Sequence, residues 1–375
     1  MTSENQPSSL SWAQVLSTLL RREDLDRDAA HWAMREIMSG NATPAQIGGF
    51  LIGLRAKGET ADEINALVDV MLDNAVLVDL RGLAVDVVGT GGDGSHTVNI
   101  STMAAVITAA AGARVVKHGN RAASSKTGTA DLLERLGVAI DLGSDAVVAC
   151  VERVGIAFCF APTFHPAMRF AGPSRRELGV ATVFNVLGPL ANPARPAAAL
   201  IGVADRRMAP LMADVLAARG VAALVARGED GLDEFTTLAA TRVWETSSGV
   251  ALESVVDAAE IGIGRPRPDA LKGDDPDFNA RVATGVLGAV RSADLDPVRD
   301  AVVLNSAAAL VAHDAAAVRD GGVPVVPNAR PDSPLVQRLS DAVAVAYRAI
   351  DSGAAAEKLH NWARVSTDLS TAQPT

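Results

Sequence analysis

A glycine-rich run, GTGGDG at residues 89–94, lies between two apolar segments of the chain. The segment before it, 84–88, indicates a buried strand, and the segment after it, 103–111, indicates a helix. Glycines let the backbone approach an anion, and the end of a helix adds a partial positive charge. The run therefore predicts a phosphate or diphosphate site, with a tight turn that binds no ligand as the alternative.

A second polar cluster, KHGNRAASS at residues 117–125, follows the strand-like segment 113–116 and precedes a predicted helix over 129–136. It contains two cations, an amide, hydroxyls and a glycine. Taken singly, Lys117 and Arg121 could be surface charges, and His118 a partner of backbone groups. The carboxyl ends of neighbouring parallel strands meet at one edge of a sheet, however, so this cluster and the glycine run are expected to form one anion site.

A third polar segment, GEDGLDEFT at residues 228–236, follows the strand-like segment 222–226. Its adjacent carboxylates suit Mg²⁺, which prefers oxygen ligands and commonly joins one or two carboxylates to substrate phosphates. The alternative is a solvated acidic turn. A diphosphate site at the same edge of the sheet favours the metal interpretation.

The composition excludes several classes of function. The net charge of −10, the pI near 5.1 and the 3% of aromatic residues argue against a general nucleic-acid binder, which needs a basic face and stacking platforms. An acidic protein that binds a polyanion must concentrate positive charge locally. The cluster at 117–125 and the arginines Arg169, Arg175 and Arg176 could provide that charge.

The cysteine content and the apolar pattern bear on location. Cys150 and Cys159 lie in one apolar region without metal-binding spacing, so we expect two buried thiols in a reducing compartment. The polar N-terminus lacks the pattern of a signal peptide. No uninterrupted apolar run reaches the length of about 20 residues that spans a bilayer, so we expect a cytoplasmic protein without a membrane partner.

The elements that position these residues fall into two groups. The first 75 residues indicate helices only, with N-caps at Asp26, Thr43 and Thr60. From residue 84, strands alternate with glycine turns and helices, which is typical of a mainly parallel sheet. Besides 84–88, the predicted strands are 113–116, 139–140, 156–160, 199–203 and 222–226, and the C-terminal part contains a predicted helix over 302–312.

The segment 164–193 interrupts this alternation with four prolines, and we expect it to return to the helical lobe. The predicted fold class is therefore α/β, with a small all-helical lobe and a larger, mainly parallel-sheet lobe. The expected domains are a helical lobe at 1–80 with the returning segment at about 164–193, and an α/β lobe at 81–163 and 194–375.

Six motifs, in this order, resemble the anthranilate phosphoribosyltransferase family of tryptophan biosynthesis. They are GTGGDG (89–94), NIST (99–102), KHGNRAASS (117–125), APTFHPAMR (161–169), FNVLGPLANP (184–193) and GLDE (231–234). The resemblance covers nearly the whole chain, and the motifs together are far more specific than any one of them. One departure is Ala181, where many members of the family have arginine.

The resemblance implies roles for individual residues. Phosphoribosyl pyrophosphate would be bound by Gly89, Gly92, Asp93, Thr97, Asn99, Ile100, Ser101, Thr102, Lys117, His118, Gly119, Asn120, Arg121, Ala122, Ala123, Ser124, Ser125 and Thr129. Anthranilate would contact Gly89, Asn120 and Arg175. The Mg²⁺ ligands would be Ser101, Asp233 and Glu234, and the expected catalytic residues are Lys117, His118 and Asp93.

The resemblance also implies an architecture and a reaction. The fold would be of the nucleoside phosphorylase/phosphoribosyltransferase type, with an active site in a hinge cleft and a homodimer joined through the helical lobes. The amine of anthranilate would displace pyrophosphate from the ribose. Whether His118 accepts the amine proton or only orients a substrate stays open.

Three alternatives compete with this function. A pyrimidine nucleoside phosphorylase would share the fold, but Asp93 and the KHGNR cluster favour the transferase. A non-catalytic relative that binds nucleic acid would need a basic surface, which the acidic composition does not favour. A transferase that acts on another aromatic amine is not separated by the sequence, since Asn120 and Arg175 indicate a carboxylate-bearing acceptor but not its ring.

Overall fold

The computed structural model describes residues 10–122, 126–327 and 329–372 and divides into two compact units. The helical unit contains the described residues up to Ala75 together with His165–Leu187, and the α/β unit contains Val76–Phe164 and the described residues from Gly188 onward. These bounds differ by a few residues from those expected at 80 and at 164–193. The expected phosphate ligands Ala123, Ser124 and Ser125 lie outside the described residues.

Fifteen α-helices and seven strands are described. The helices are α1 (Trp12–Leu20), α2 (Arg27–Met38), α3 (Pro44–Lys57), α4 (Ala61–Asp73), α5 (Ile100–Ala110), α6 (Thr129–Arg135), α7 (Ser144–Val154), α8 (Ala161–Phe164), α9 (Gly172–Leu178), α10 (Phe184–Leu190), α11 (Met208–Ala218), α12 (Pro276–Leu287), α13 (Leu295–Arg319), α14 (Leu335–Asp351) and α15 (Ala354–Thr371). The strands are β1 (Val85–Gly89), β2 (Val115–Gly119), β3 (Ile156–Phe160), β4 (Ala198–Gly202), β5 (Ala222–Gly228), β6 (Ala240–Glu245) and β7 (Leu252–Asp257).

The helical unit begins its helices at the predicted caps. The side chains of Asp26, Thr43 and Thr60 each accept a hydrogen bond from a backbone N–H in the first turn of α2, α3 and α4. Thr43 and Thr60 form complete capping boxes with Gln46 and Glu63. These caps satisfy backbone donors that have no partner within a helix, which is why short polar residues fix the helix starts so clearly in the sequence.

The α/β unit is built on one sheet in the order β3-β2-β1-β4-β5-β6-β7. The strands from β1 to β5 pair in parallel, while β6 and β7 pair antiparallel at one side. The mainly parallel sheet predicted from the alternating pattern is therefore confirmed. All three polar segments of the sequence follow strands of the parallel part, at the carboxyl ends of β1, β2 and β5.

The strand predictions differ from the structure in two ways. Residues 139–140 form no strand, because they lie in a short connection between α6 and α7, where Ile140 is buried and Ala139 half-buried without strand pairing. Conversely, β6 and β7 were not predicted. Strand β7 is mostly exposed, so its sequence lacks the continuous apolar character that marks the buried strands.

Helix α13 forms the centre of the α/β unit and packs against α5, α14, β4 and β5. By length and composition it could also cross a membrane, but 89% of its apolar window is buried inside the protein. This burial is the pattern of a core helix. The side chain of Asn305 on α13 bonds both backbone groups of Phe235, at 2.9 Å each, and so ties this helix to the turn that carries Asp233 and Glu234.

Candidate active site

The glycine run and the acidic turn are joined directly by hydrogen bonds. The backbone N–H of Gly91 donates to Asp233 Oδ2 at 2.7 Å, and the N–H of Thr90 donates to the carbonyl of Gly202 at 2.9 Å. Gly202 is the last residue of β4, which lies between β1 and β5 in the sheet. The carboxyl edge of the sheet therefore brings together two of the polar segments that the sequence singled out.

The glycine run needs its glycines for conformation. Gly91, Gly92 and Gly94 have φ angles of +68°, +82° and +72°, which side chains with a Cβ rarely adopt. Between them, Asp93 is half-buried and accepts the N–H of Ser95 at 3.1 Å. Successive left-handed residues turn their N–H groups to one side, so this backbone is suited to cradle an anion.

The start of α5 is held in place by Asn99. Its amide donates to the carbonyl of Thr127 at 3.1 Å, and its Oδ1 accepts from the amide of Asn279 at 2.9 Å. Just before it, Thr97 forms an antiparallel bridge with Lys272. Asn99 therefore makes no side-chain cap for α5, and the N-terminus of this helix is left to other acceptors.

One of those acceptors is Glu234, whose carboxylate accepts the backbone N–H of Ser101 in the first turn of α5. Asp233 and Glu234 are 9% and 8% exposed. Burial and repulsion by Asp93 raise the pKa of Asp233 to about 7, and burial together with Asp233 raises the pKa of Glu234. In their ionised form, two adjacent buried carboxylates need a positive charge nearby.

Part of that charge comes from Lys117, whose side chain is buried at 1% exposure. Its Nζ donates to the carbonyl of Val87 and, at 3.2 Å, to Ser101 Oγ. Burial lowers the pKa of Lys117, while the carboxylates of Asp86, Glu234 and Asp233 favour its charged form. The ammonium thus lies among the acidic residues and is buried away from solvent.

The three expected metal ligands form a set of oxygen donors. Asp233 and Glu234 are neighbours in one turn, and Ser101 is connected to Glu234 through its backbone and to Lys117 through its hydroxyl. Within residues 10–122, 126–327 and 329–372, no group of three or more His, Cys, Asp or Glu side chains is arranged to enclose a metal ion. Two carboxylates and a hydroxyl fit a hard cation that also takes oxygens from a bound phosphate.

His118 points to the opposite face of the sheet from Lys117, because side chains alternate along a strand. Its Nδ1 lies 3.0 Å from the carbonyl oxygen of Gly188. Since a carbonyl only accepts, Nδ1 carries the proton in this contact, and a neutral imidazole then has its lone pair on Nε2. This tautomer is compatible with accepting a proton at Nε2.

Arg121 is held by ion pairs on the surface. Its guanidinium bonds Asp131 at 2.9 Å and Glu134 at 2.6 Å, which raises its pKa, and lies 5.6 Å from the ring centroid of Phe160. A phosphate would have to compete with these two carboxylates. The neighbouring Asn120 is exposed, and its Oδ1 accepts the N–H of Arg121 at 2.7 Å.

The remaining expected phosphate ligands lie near the same strands. Gly119 ends β2, the N–H of Ala122 donates to Asp131 at 3.1 Å, and Thr129 begins α6 within 3.5 Å of the hydroxyl of Thr102. Ile100 is buried as the first residue of α5. These residues therefore lie at the end of β2, in the loop after it, or at the starts of α5 and α6.

Arg175 belongs to the helical unit, on α9. Its guanidinium is half-buried, lies 5.1 Å from the ring centroid of Phe184 and makes no ion pair within the part of the chain that the structure describes. Burial lowers its pKa. Its neighbour Arg176 is exposed. A half-buried guanidinium without a carboxylate partner is a suitable ligand for the carboxylate of a substrate.

Sequence reasoning missed two buried polar residues at this site, Asp86 and Asn192. Asp86 lies in the middle of β1, and Asn192 follows α10. Asn192 Nδ2 donates to Asp86 Oδ2 at 2.8 Å. The only local indication was a charged residue inside the apolar strand sequence VDVV, which is unusual for a strand buried on both faces.

Comparison with known proteins relates the chain to one family. Residues 13–75 match the model of the glycosyl transferase family helical bundle domain, and residues 81–356 match that of the glycosyl transferase family a/b domain. The chain is 53% identical over 359 residues to an anthranilate phosphoribosyltransferase of Salinispora arenicola, covering 95% of this chain and 96% of the relative.

Solved structures of anthranilate phosphoribosyltransferases are also similar to this chain. The anthranilate phosphoribosyltransferase of Thermus thermophilus superposes with a TM-score of 0.83 at 37% identity, covering 94% of this chain and 99% of the other. The enzyme of Saccharomyces cerevisiae in complex with phosphoribosyl pyrophosphate and Mg gives 0.82 at 26% identity, covering 95% and 98%.

The close packing of two glycines against the acidic turn yields a prediction. A Cβ at position 202 would lie 1.6 Å from the Asp233 carbonyl oxygen, and a Cβ at position 89 would lie 2.4 Å from Asp233 Oδ2. We expect G202A to lower the free energy of unfolding by about 3 kcal/mol, because backbone must move. In G89A the severe contact is with a carboxylate that can rotate, and the Asp233 carbonyl oxygen lies at 3.2 Å, so we expect a smaller loss of about 1 kcal/mol.

Denaturant unfolding measures both losses. G264A is the matched control, because a Cβ there meets no atom within 4 Å and Gly264 does not have a left-handed φ. Its change should stay within about 0.5 kcal/mol. An unchanged stability of G202A, or an equal loss in G264A, would contradict the close contact with Asp233.

Proposed function

The chain belongs to the anthranilate phosphoribosyltransferase family, and we propose that it transfers the phosphoribosyl group of phosphoribosyl pyrophosphate to the amine of anthranilate in tryptophan biosynthesis. The products are N-(5-phosphoribosyl)anthranilate and pyrophosphate. The observation that carries this proposal is the contact of Gly91 N–H with Asp233 Oδ2, which joins an anion-binding glycine turn to a buried acidic pair. That combination suits a diphosphate bound together with a divalent cation.

The glycine run and the cluster after β2 are the proposed site for phosphoribosyl pyrophosphate. Left-handed glycines and the nearby start of α5 offer backbone N–H groups to the diphosphate without adding a mobile charge. The proposed ligands are Gly89, Gly92, Asp93, Thr97, residues 99–102, residues 117–125 and Thr129. Residues 99–102 lie at the start of α5, and residues 117–119 lie at the end of β2. Both elements limit the freedom of these residues before substrate binds.

Ser101, Asp233 and Glu234 are the proposed ligands of Mg²⁺. When bound, this ion would neutralise charge that develops on the departing diphosphate. The pKa values of Asp233 and Glu234 are raised first by burial and then by repulsion from neighbouring carboxylates, and a divalent cation would offset both effects, which supports the assignment. The Lys117 ammonium balances part of the negative charge of these carboxylates, and it orients Ser101 by donating a hydrogen bond to the Ser101 hydroxyl.

The reaction forms one bond and breaks another at C1 of the ribose. The amine nitrogen of anthranilate attacks C1, the bond from C1 to the diphosphate oxygen breaks, and its electron pair leaves with pyrophosphate. The aryl amine is neutral at pH 7, so the nucleophile needs no prior deprotonation. The proton is lost from nitrogen during or after attack, and Nε2 of His118 is the proposed candidate acceptor on this chain.

Gly89, Asn120 and Arg175 are the proposed contacts of anthranilate. The half-buried guanidinium of Arg175 is suited to grip the carboxylate through two parallel hydrogen bonds. The exposed amide of Asn120 offers both a donor and an acceptor to the ring substituents. Gly89 has no side chain, so an aromatic ring could approach the backbone there.

We further propose a homodimer joined through the helical lobes and a cytoplasmic location. In support of the first, Leu20 on α1 is 82% exposed and Ile52 on α3 is 41% exposed, and these two helices pack against each other within the helical unit. In support of the second, Cys150 and Cys159 are buried, unbridged thiols, as is usual in a reducing compartment.

Anthranilate fluorescence followed over time tests the proposed reaction. With phosphoribosyl pyrophosphate and Mg²⁺ present we expect the fluorescence to decay, and controls that lack either one should stay constant. Constant fluorescence with folded protein and all components would contradict the assignment. Release of base from thymidine in the presence of inorganic phosphate would instead indicate a nucleoside phosphorylase.

Charge stabilisation should matter more than proton transfer in this reaction. We expect D233N and K117A to lower kcat by about 100-fold or more, since each removes a charge from the diphosphate site. H118A should lower kcat by about tenfold or less, because the amine is already neutral. Steady-state kinetics at saturating substrates measure the difference. A loss in H118A that equals or exceeds the others would make His118 a required base.

The two neighbouring arginines of α9 provide a matched pair. R175K should raise the KM for anthranilate by about tenfold or more, because lysine cannot make the bidentate contact. R176K should leave it within about twofold, because Arg176 is exposed and its surface charge is retained. Initial rates against anthranilate concentration give both values. Equal effects of the two variants would remove Arg175 from the acceptor site.

A further inference from the structure

The two strands that carry the glycine run and the lysine cluster are joined only weakly at their carboxyl ends. In the described chain, β1 and β2 share a single register pair, Val85 with Val115. On its other side β1 pairs with β4 at every residue from Val85 to Gly89. The backbone ladder between β1 and β2 is therefore interrupted beyond its first pair, next to the loops that the proposed function assigns to the diphosphate.

Side-chain groups bond backbone groups that have no ladder partner where β1 and β2 are not paired. The ammonium of Lys117, on β2, donates to the carbonyl of Val87 on β1. In the other direction, the N–H of His118 on β2 donates to Asp86 Oδ1 on β1 at 3.2 Å. Each strand thus supplies a side chain that takes the place of a ladder hydrogen bond with the other.

Asn192 completes the arrangement from a third segment. Its Nδ2 donates both to Asp86 Oδ2, at 2.8 Å, and to the carbonyl of Val116 on β2, at 2.9 Å. Its Oδ1 accepts the N–H of Ala194 at 2.9 Å, which fixes the orientation of the amide. Gly188, in the same segment, accepts from Nδ1 of His118.

These contacts are under strong physical constraint. Asp86 and Asn192 are 1% and 4% exposed, so no bulk water replaces a lost partner. A buried backbone group without a partner costs about 1–3 kcal/mol. Both oxygens of Asp86 already accept N–H donors, so the ionised carboxylate fits the site and an amide in its place does not. Whichever way the new amide of the D86N variant turned, its NH₂ group would face a donor.

We propose that Asp86 and Asn192 are positioning residues, which bridge β1 and β2 where their backbone ladder is interrupted and thereby set the places of the Lys117 ammonium and the His118 ring. The inference rests on the proposed function for its kinetic consequence. The side chains of Asp86 and Asn192 are occupied with backbone groups and with each other, so their proposed effect on catalysis acts through the position of β2.

Kinetics of D86N and N192A test the proposal. A misplacement of β2 by about 1 Å is enough to cost about 100-fold in rate, so we expect D86N to lower kcat/KM for phosphoribosyl pyrophosphate by about that factor. N192A keeps the carboxylate and should lose about tenfold. The double variant should be no worse than D86N by more than about twofold, because the two residues act through one network.

Asp314 provides the matched control. It is 3% exposed, and its carboxylate accepts the backbone N–H groups of Val325 and Val326 at 2.8 and 2.7 Å, as Asp86 accepts that of His118. It lies near the end of α13, where Arg319 donates to the carbonyl of Gly220 before β5, at the amino edge of the sheet. D314N should be destabilised but keep kcat/KM within about twofold of the parent.

Hydrogen–deuterium exchange of the peptide 115–122 gives a readout that does not depend on turnover. We expect faster exchange there in D86N and N192A, and unchanged exchange in D314N. If D86N does not fold, N192A carries the test by itself. An inactive parent protein would contradict the proposed function, while the exchange result would still decide the positioning role. Exchange and kinetics in D86N or N192A that match those of D314N would overturn the inference.

Discussion

The buried ammonium of Lys117 is the interaction on which the rest of the site depends. It belongs to β2 and has three carboxylates around it, those of Asp86, Asp233 and Glu234. Each of these groups would be costly to bury alone, and together they satisfy one another only in part. The remaining negative charge explains why this edge of the sheet is suited to a diphosphate that arrives with a divalent cation.

The fold makes this cluster possible through two features, the close approach of the acidic turn to β4 and the interrupted backbone ladder between β1 and β2. Gly202 lets the backbone of Asp233 come against β4, where any side chain would collide. Where the backbone ladder between β1 and β2 is interrupted, the Lys117 ammonium bonds the carbonyl of Val87, and Asp86 and Asn192 bond the backbone of β2. The glycine turn then closes over the acidic pair through the N–H of Gly91. Conformation and charge are thus set by the same few residues.

Much of this arrangement could be predicted from local sequence patterns, and the rest could not for a clear reason. Helix caps such as Thr43 and the buried parallel strands depend on residues close in sequence, so they were predicted correctly. The pairing of Asp86 with Asn192 joins positions 106 residues apart, and no local pattern indicates it. Likewise, no local pattern indicates that Arg121 forms ion pairs with Asp131 and Glu134.

The most direct test of this account is a calorimetric titration of phosphoribosyl pyrophosphate into the protein, with and without Mg²⁺, and into E234Q. If the buried acidic cluster receives the substrate through the cation, binding to the parent protein should weaken by about tenfold or more when Mg²⁺ is removed. E234Q should lose most of that metal dependence. Equal affinity in the presence and absence of Mg²⁺ would contradict the central role given to the acidic pair and Lys117.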